Sequence, residues 1–165
     1  MTNLIVRKPR NTSDIINCVN MYLSLDEPGF MPASFDSSCR SLVNHWQHGG
    51  FIRLVEEDGR LIAWIFAICA PMDHISEKIV SQRYYASKTS GVKSFRALKL
   101  LHDEMLAYAH RINAAYCTST GSHFDTAFTF TRMLEKCGWT RRGYLAIYKM
   151  KDYHGTLTKI NRGKT

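Results

Sequence analysis

The most restrictive feature of the sequence is the short stretch SKTSGVKSF, from Ser87 to Phe95. It lies between an alternating run typical of a β-strand, KIVSQRYYAS, and a run with helical periodicity, FRALKLLHDEMLAYAHRI. A helix N-terminus offers unpaired N–H groups and the positive end of the helix dipole, so a loop with glycine, hydroxyls and lysine at this junction suits a phosphate. The stretch equally suits a plain turn, in which Gly91 takes a positive φ and Ser90 or Ser94 caps the helix.

The composition is that of one ordinary folded domain. The chain has 165 residues, of which 45% are hydrophobic and 22% charged, close to the averages for globular proteins. Its longest apolar run, LIAWIFAICAPM, is too short to span a bilayer, and the first residues, MTNLIVRKPR, lack the apolar core of a signal peptide. We therefore expect a cytoplasmic protein that does not enter a membrane.

The charged and metal-ligating residues narrow the choice of partners. A net charge of +8 and a pI near 9.4 favour an acidic partner, such as nucleic acid or a phosphorylated cofactor, although a basic solvated surface explains them equally well. The five cysteines are widely spaced and odd in number, which indicates reduced thiols. The closest histidine pairs, His45 with His48 and His102 with His110, lack a carboxylate at ligand spacing, so no metal site is predicted.

Hydrophobic periodicity predicts the element order β-α-α-β-β-β-α-β-α-β. Asp58-Gly59 indicates a tight hairpin turn, Gly138 ends the last helix, PMDHISE is predicted as a loop, and RRGYLAIYKMK as one final strand. The predicted fold class is α/β of the α+β type, with a mixed, mostly antiparallel central sheet and helices on both faces. We expect residues 1–150 to form the domain and residues 151–165 to be a basic C-terminal tail.

This order resembles that of the GNAT superfamily of N-acetyltransferases over about residues 3 to 150. Members of that family carry the motif Arg/Gln-x-x-Gly-x-Gly/Ala before the long helix, and its backbone amides hold the pyrophosphate of coenzyme A. Here Lys88 stands at the first position of the motif and Gly91 at the first glycine, while Lys93 occupies the second small position. A lysine there either obstructs the phosphates or points outward and adds a charged contact to the pyrophosphate, and we favour the second alternative.

A second motif supports the resemblance. Many members end the following helix with Tyr-Glu-Lys-x-Gly-Phe, and the sequence LEKCGW, residues 134–139, matches it except that Leu134 replaces the tyrosine and Trp139 the phenylalanine. In the family, that tyrosine is the acid that protonates the departing thiolate, and leucine has no proton to give. The remaining identities also suit a helix that simply ends at a glycine.

The resemblance implies transfer of an acyl group, in the first place acetyl from acetyl-CoA, to an amine acceptor. Three sets of residues would then bind the cofactor. The backbone of Tyr85, Ala86 and Ser87 would bind the pantetheine arm and polarise the thioester carbonyl. The pyrophosphate would be held by the amides of Thr89, Ser90, Gly91, Val92, Lys93 and Ser94. Ser119, Ser122 and Asp125, between the fifth predicted strand and its helix, would face the other side of the cofactor.

The sequence gives fewer indications of the catalytic acid and base than of the cofactor site. An amine must lose a proton to attack the thioester, and Glu56, Glu57, His74 and Asp125 are candidate bases, of which we favour Glu57 and His74. Tyr116, Tyr144 or Tyr148 on neighbouring strands would replace the missing tyrosine, and we favour Tyr148.

A second interpretation keeps the fold without the chemistry. The irregular first motif, Leu134 and the basic tail are also consistent with a catalytically degenerate GNAT-like protein that binds nucleic acid or serves in an assembly, including a homo-oligomer. Binding of acetyl-CoA separates the two interpretations.

Overall fold

The computed structural model describes residues 3–24, 34–72, 75–120, 124–142 and 145–150. These residues form seven strands and four helices. The strands are Leu4–Arg7 (β1), Phe51–Glu57 (β2), Arg60–Met72 (β3), Ile75–Ser87 (β4), Tyr116–Thr120 (β5), Thr140–Arg142 (β6) and Leu145–Lys149 (β7). The helices are Thr12–Leu23 (α1), Phe35–Gln47 (α2), Gly91–Arg111 (α3) and Phe124–Glu135 (α4).

All seven strands belong to one sheet with the spatial order β1-β2-β3-β4-β5-β7-β6. Every neighbouring pair is antiparallel except β4 and β5, which are parallel. The helices cover both faces of the sheet. On one face, α3 and α4 enclose a core that includes Val55, and on the other, α1 and α2 enclose a core that includes its neighbour Leu54. The predicted fold class is confirmed.

Local sequence explains where most elements begin and end. Asn11 caps α1 by accepting a hydrogen bond from Asp14 N, and Ser34 caps α2 in the same way through Ser37 N. Between β2 and β3, Asp58 and Gly59 have φ values of 49° and 74°, so both take the left-handed conformation that a two-residue hairpin turn requires. No helix in the described part of the chain is long and apolar enough to cross a membrane.

Two predicted elements are wrong in detail. The stretch PMDHISE is mostly strand, because β3 continues to Met72 and pairs with the start of β4; Pro71 is accommodated beside a register shift in the ladder. The predicted single final strand is two strands, β6 and β7, which pair antiparallel with Arg142 opposite Leu145. The two strands are separated by only two residues, so the sequence is interpreted as one continuous strand.

Candidate functional site

The parallel strands β4 and β5 part after a short paired stretch. Their pairing runs from Ile79 opposite Tyr116 to Ser81 opposite Thr118, and both strands continue beyond it without pairing to each other. On this side, the edge of β4 from residue 82 to residue 87 has no strand partner among the described residues. An extended ligand with amide groups can hydrogen-bond to such an edge. We call the point where the strands part the fork.

A β-bulge lies directly after the fork. On β3, Ala67 pairs with Gln82 and Phe66 pairs with Tyr84, so Arg83 has no partner in the register. The extra residue shifts the side-chain alternation. The side chains of Gln82 and Tyr85 both face α3, where they contact His102, whereas strict alternation would place them on opposite faces. Tyr84 correspondingly faces α1, where its ring lies 5.1 Å from that of Tyr22.

The loop between β4 and α3 leaves the start of α3 open. Ser87 Oγ accepts a hydrogen bond from Thr89 N at 3.2 Å, which turns the chain toward the helix. Ser90 is the N-cap but makes no side-chain capping bond, so the N–H groups of the first turn have no partner from that cap. Gly91 has a φ of 59°, and nothing lies within 4 Å of the position that its missing Cβ would occupy. Free N–H groups facing open space are the donor set that a pyrophosphate requires.

A tyrosine hydroxyl lies buried beneath this loop. Tyr85 Oη lies near the hydroxyls of Ser94 and Ser87 but makes no hydrogen bond of ordinary geometry with either. Burial raises the pKa of Tyr85, and the nearby serine hydroxyls oppose that rise, so the phenol remains protonated at neutral pH. A buried donor without a partner beside an uncapped helix start fits a ligand rich in phosphate and amide oxygens.

Lys93 does not obstruct the helix start, because its side chain turns toward the end of β2. Its Nζ lies 2.9 Å from the Glu57 carboxylate. Glu57 is six residues along β2 from Phe51, which pairs with Ala67 near the level of the fork, so about 20 Å separates Glu57 from that level. The structure therefore brings Glu57 to the loop end of the cleft and not to the fork, where a base would be needed.

The other predicted acid, base and cofactor residues are only partly described. His74 and Ser122 lie outside the described residues. The backbone of Asp125 is in the first turn of α4, and Tyr148 lies on β7 opposite Cys117, one residue before the fork on β5; the side chains of both lie outside the described part. Leu134, at the position of the family tyrosine, is completely buried in the core on the α3 face.

Sequence analysis missed two of the three polar residues at the fork, Gln82 and His102, and named the third, Ser119, only as a residue facing the cofactor. Gln82 on β4, Ser119 on β5 and His102 on α3 are buried and hydrogen-bonded to one another. The sequence feature that could have revealed them is His102, which follows Leu101 on the apolar stripe of a helix. A buried histidine there needs a polar partner. The described residues contain no cluster of three side chains able to hold a metal ion.

A cavity of about 480 Å³ lies at the opposite end of α3 from the loop. Its lining includes His110 and Asn113 at the end of the helix, Glu77 at the start of β4, and Met150. The cavity is thus separate from the fork and from the uncapped helix start.

No protein-family model and no curated protein matches the chain. Solved structures do match. An N-acetyltransferase from Staphylococcus aureus Mu50 is 11% identical with a TM-score of 0.69, and the alignment covers 90% of this chain and 99% of that one. A GNAT family acetyltransferase from Streptococcus pneumoniae is 12% identical with a TM-score of 0.65, at 90% and 99% coverage. A GNAT family acetyltransferase from Brucella melitensis, solved with acetyl-CoA, is 11% identical with a TM-score of 0.57, at 90% and 88% coverage. The chain therefore has the fold of the GNAT-family acetyltransferases.

Proposed function

We propose that the chain is an acyl-CoA dependent N-acyltransferase that transfers an acetyl group to an amine. The observation that carries the proposal is the continuous path from the fork, along the unpartnered edge of β4, to the uncapped start of α3. Acetyl-CoA would supply an acetyl group activated as a thioester. Its thioester, its pantetheine amides and its pyrophosphate would lie at the fork, along the β4 edge and at the start of α3, respectively.

The chain's own residues would bind the cofactor mainly through backbone atoms. The first-turn N–H groups of Gly91, Val92 and Lys93 would hold the pyrophosphate, aided by the positive end of the 21-residue helix α3. The β4 edge at residues 85–87 would pair with the pantetheine arm as an added strand. A backbone N–H near the bulge would polarise the thioester carbonyl and stabilise negative charge that develops there during attack.

Two residues are proposed to transfer protons during the reaction. His74 would accept the proton of the amine, and Tyr148 would protonate the departing thiolate; the Tyr148 backbone lies beside the fork, which supports this role. Glu57, paired with Lys93 at the loop end of the cleft, is poorly placed to act as the base. Ser122 and Asp125 would contact the cofactor from the α4 side.

Calorimetric titration with acetyl-CoA, followed by an assay of thiol release with a panel of amines, tests the proposal. We expect binding in the micromolar range and thiol release that depends on the amine. Absence of binding at millimolar acetyl-CoA would contradict the function, because a cofactor must bind near its cellular concentration.

The buried Leu134 favours a second candidate, a GNAT-like protein without catalysis that binds nucleic acid or acts in an assembly, including a homo-oligomer. The net charge of +8 is consistent with a polyanionic partner. This candidate predicts salt-dependent binding to nucleic acid by a chain that does not bind acetyl-CoA.

A further inference from the structure

Side-chain hydrogen bonds join β4 and β5 at the fork on both faces of the sheet. At the last paired position, Thr118 Oγ1 donates a hydrogen bond to Ser81 Oγ at 3.0 Å. At the next position on each strand, backbone pairing has stopped, but Gln82 and Ser119 hydrogen-bond to each other on the α3 face. His102 of α3 joins them, so one polar network ties β4, β5 and α3 together where the cleft begins.

The geometry determines the state of His102. Its Nδ1 lies 2.9 Å from the backbone oxygen of Leu98, which can only accept, so Nδ1 carries the proton. Nε2 then has a free lone pair, and Ser119 Oγ, at 2.9 Å, donates to it. The atom of Gln82 placed 3.0 Å from Nε2 is Oε1, which cannot donate; the network is satisfied when the Gln82 amide is turned by 180°, so that its NH₂ group donates to Ser119 Oγ and faces Nε2. Burial lowers the pKa of His102 to about 4, so the ring is neutral at physiological pH.

Aromatic rings surround this network. The centroid of the His102 ring lies 5.5 Å from Trp139, 5.9 Å from Phe130 and 6.3 Å from Tyr85. Packed apolar side chains would stabilise such a core at least as well as buried polar groups, which need every partner satisfied. Directional hydrogen bonds, by contrast, hold the elements at one fixed separation. The buried polar network at the fork therefore indicates that its role is to hold β4, β5 and α3 at a fixed separation.

We propose that His102 is a positioning residue that, through Ser119 and Gln82, sets where and how widely β4 and β5 part, and thus the width of the cleft at the acyl end of the cofactor. The inference rests on the proposed function and adds a residue set to it. The nucleotide end would be held separately at Gly91. From Gln82 to Ser87, the strand places these two ends roughly 16 Å apart, so each can be measured on its own.

The test compares two ligands on Ser119→Ala and Gln82→Met, each of which removes one member of the network at nearly constant shape. Acetyl-CoA reports on the whole cleft, whereas 3′-phospho-ADP reports only on the nucleotide end. We expect acetyl-CoA to bind about tenfold more weakly to both variants, because small misplacements at the fork cost binding, and 3′-phospho-ADP affinity to stay within about twofold. Equal losses for the two ligands, or no loss for either, would overturn the proposal.

Met105→Ala is the matched control, since Met105 is fully buried on the same face of α3, about one turn from His102, and does not belong to the network. It should loosen the core without changing either affinity by more than about twofold. A selective loss of acetyl-CoA binding in Met105→Ala as well would show that core loosening is sufficient, and would overturn the role of His102.

A measurement on the unaltered chain avoids any folding defect of the variants. Nitrogen-15 NMR of the imidazoles should show His102 protonated at Nδ1 only, with shifts that stay constant from about pH 8 to pH 5.5. The opposite tautomer, or titration within that range, would overturn the network. If the unaltered chain binds neither ligand, the proposed function fails and this inference with it. If that chain binds acetyl-CoA and Ser119→Ala binds it equally well, only this inference fails.

Discussion

At the residue scale, Lys93 is a position where the chain departs from the GNAT motif. The GNAT motif has a small residue at this position, where a side chain would approach the phosphates. The lysine side chain instead extends to Glu57 on β2, and the pair leaves the first-turn N–H groups accessible. The carboxylate also places a negative charge near the proposed pyrophosphate, so it should oppose cofactor binding.

Glu57→Gln should therefore strengthen acetyl-CoA binding. It removes that negative charge and leaves Lys93 free to contact the phosphates; because the Lys93 side chain is 43% exposed, we expect only a twofold to fivefold gain, about 1 kcal/mol or less. Calorimetry at low and high salt measures the effect, which should shrink with salt. Glu56→Gln is the control, because Glu56 pairs with Arg7 and should not alter the affinity. Weaker binding by Glu57→Gln would mean that Glu57 holds Lys93 in its productive position.

Gly91→Asp should weaken acetyl-CoA binding by about tenfold or more, because it places a carboxylate against the proposed pyrophosphate. Gly91→Ala is the control, since it carries the same penalty for a positive φ, about 1–2 kcal/mol, without the charge. Calorimetry gives the affinities, and thermal unfolding gives the stabilities. Equal affinities for the two variants would show that the added carboxylate does not repel the ligand. That result would contradict a phosphate site at this loop.

At the element scale, β1 and α1 are joined by an ion-pair cluster. Arg7 donates to both oxygens of Asp14 at 2.6 and 2.8 Å and to Glu56 Oε1 at 2.5 Å, and these side chains are only 13–14% exposed. Asp14 also accepts from Arg10 N. The cluster therefore fixes the start of α1, whose other end precedes the segment between the first two helices.

Arg7→Met should lower the free energy of unfolding by about 1–3 kcal/mol at pH 7, since it leaves two carboxylates without their main partner. The hydrogen bond from Arg7 holds the pKa of Asp14 below its ordinary value. Its stabilisation is therefore complete above the unfolded-state pKa of about 3.9 and is lost as the pH falls through the lower folded-state pKa. Urea unfolding at a series of pH values should show the two chains converging below about pH 4.

The exposed pair of Lys99 and Asp103 on α3 provides a comparison for that experiment. Lys99→Met should cost no more than about 0.5 kcal/mol, because a solvated pair four residues apart contributes little. Similar losses for Lys99→Met and Arg7→Met would show that the cluster at β1 behaves as an ordinary surface pair.

At the scale of the whole molecule, the net charge of +8 leaves a polyanion as a possible second partner. Residues 151–165, outside the described part, carry Lys151, Lys159, Arg162 and Lys164. If they contact nucleic-acid phosphates, affinity should fall with salt at a log–log slope near −0.9 per contact, and truncation after residue 150 should flatten the slope by about two to four units. Binding assays at several salt concentrations measure both chains. Identical slopes would remove this role from the tail, and acetyl-CoA binding should be the same in both.

Local chemistry was sufficient to predict most of the elements and the junction at which α3 begins. The hairpin at Asp58 and Gly59 and the start of α3 at Gly91 were predictable, because positive φ values and a strand-to-helix junction depend on neighbouring residues. Alternation and helical periodicity likewise predicted the order of elements, apart from the break between β6 and β7. The resemblance to the GNAT family followed from that order and from two partial motifs, and solved acetyltransferase structures share the fold.

Contacts between distant residues determined the geometry of the fork. The bulge at Arg83 arises from the register of β4 against β3, and it reverses the faces that Tyr84 and Tyr85 occupy relative to simple alternation. The pair of Lys93 with Glu57 joins residues 36 apart in the chain, and the network of His102 joins three elements. By itself the sequence determined most of the elements and the strand-to-helix junction at Gly91, because those depend on local conformation and hydrophobic pattern. Only the tertiary structure decided where the cleft opens, because strand register and buried hydrogen bonds exist only once the elements have packed.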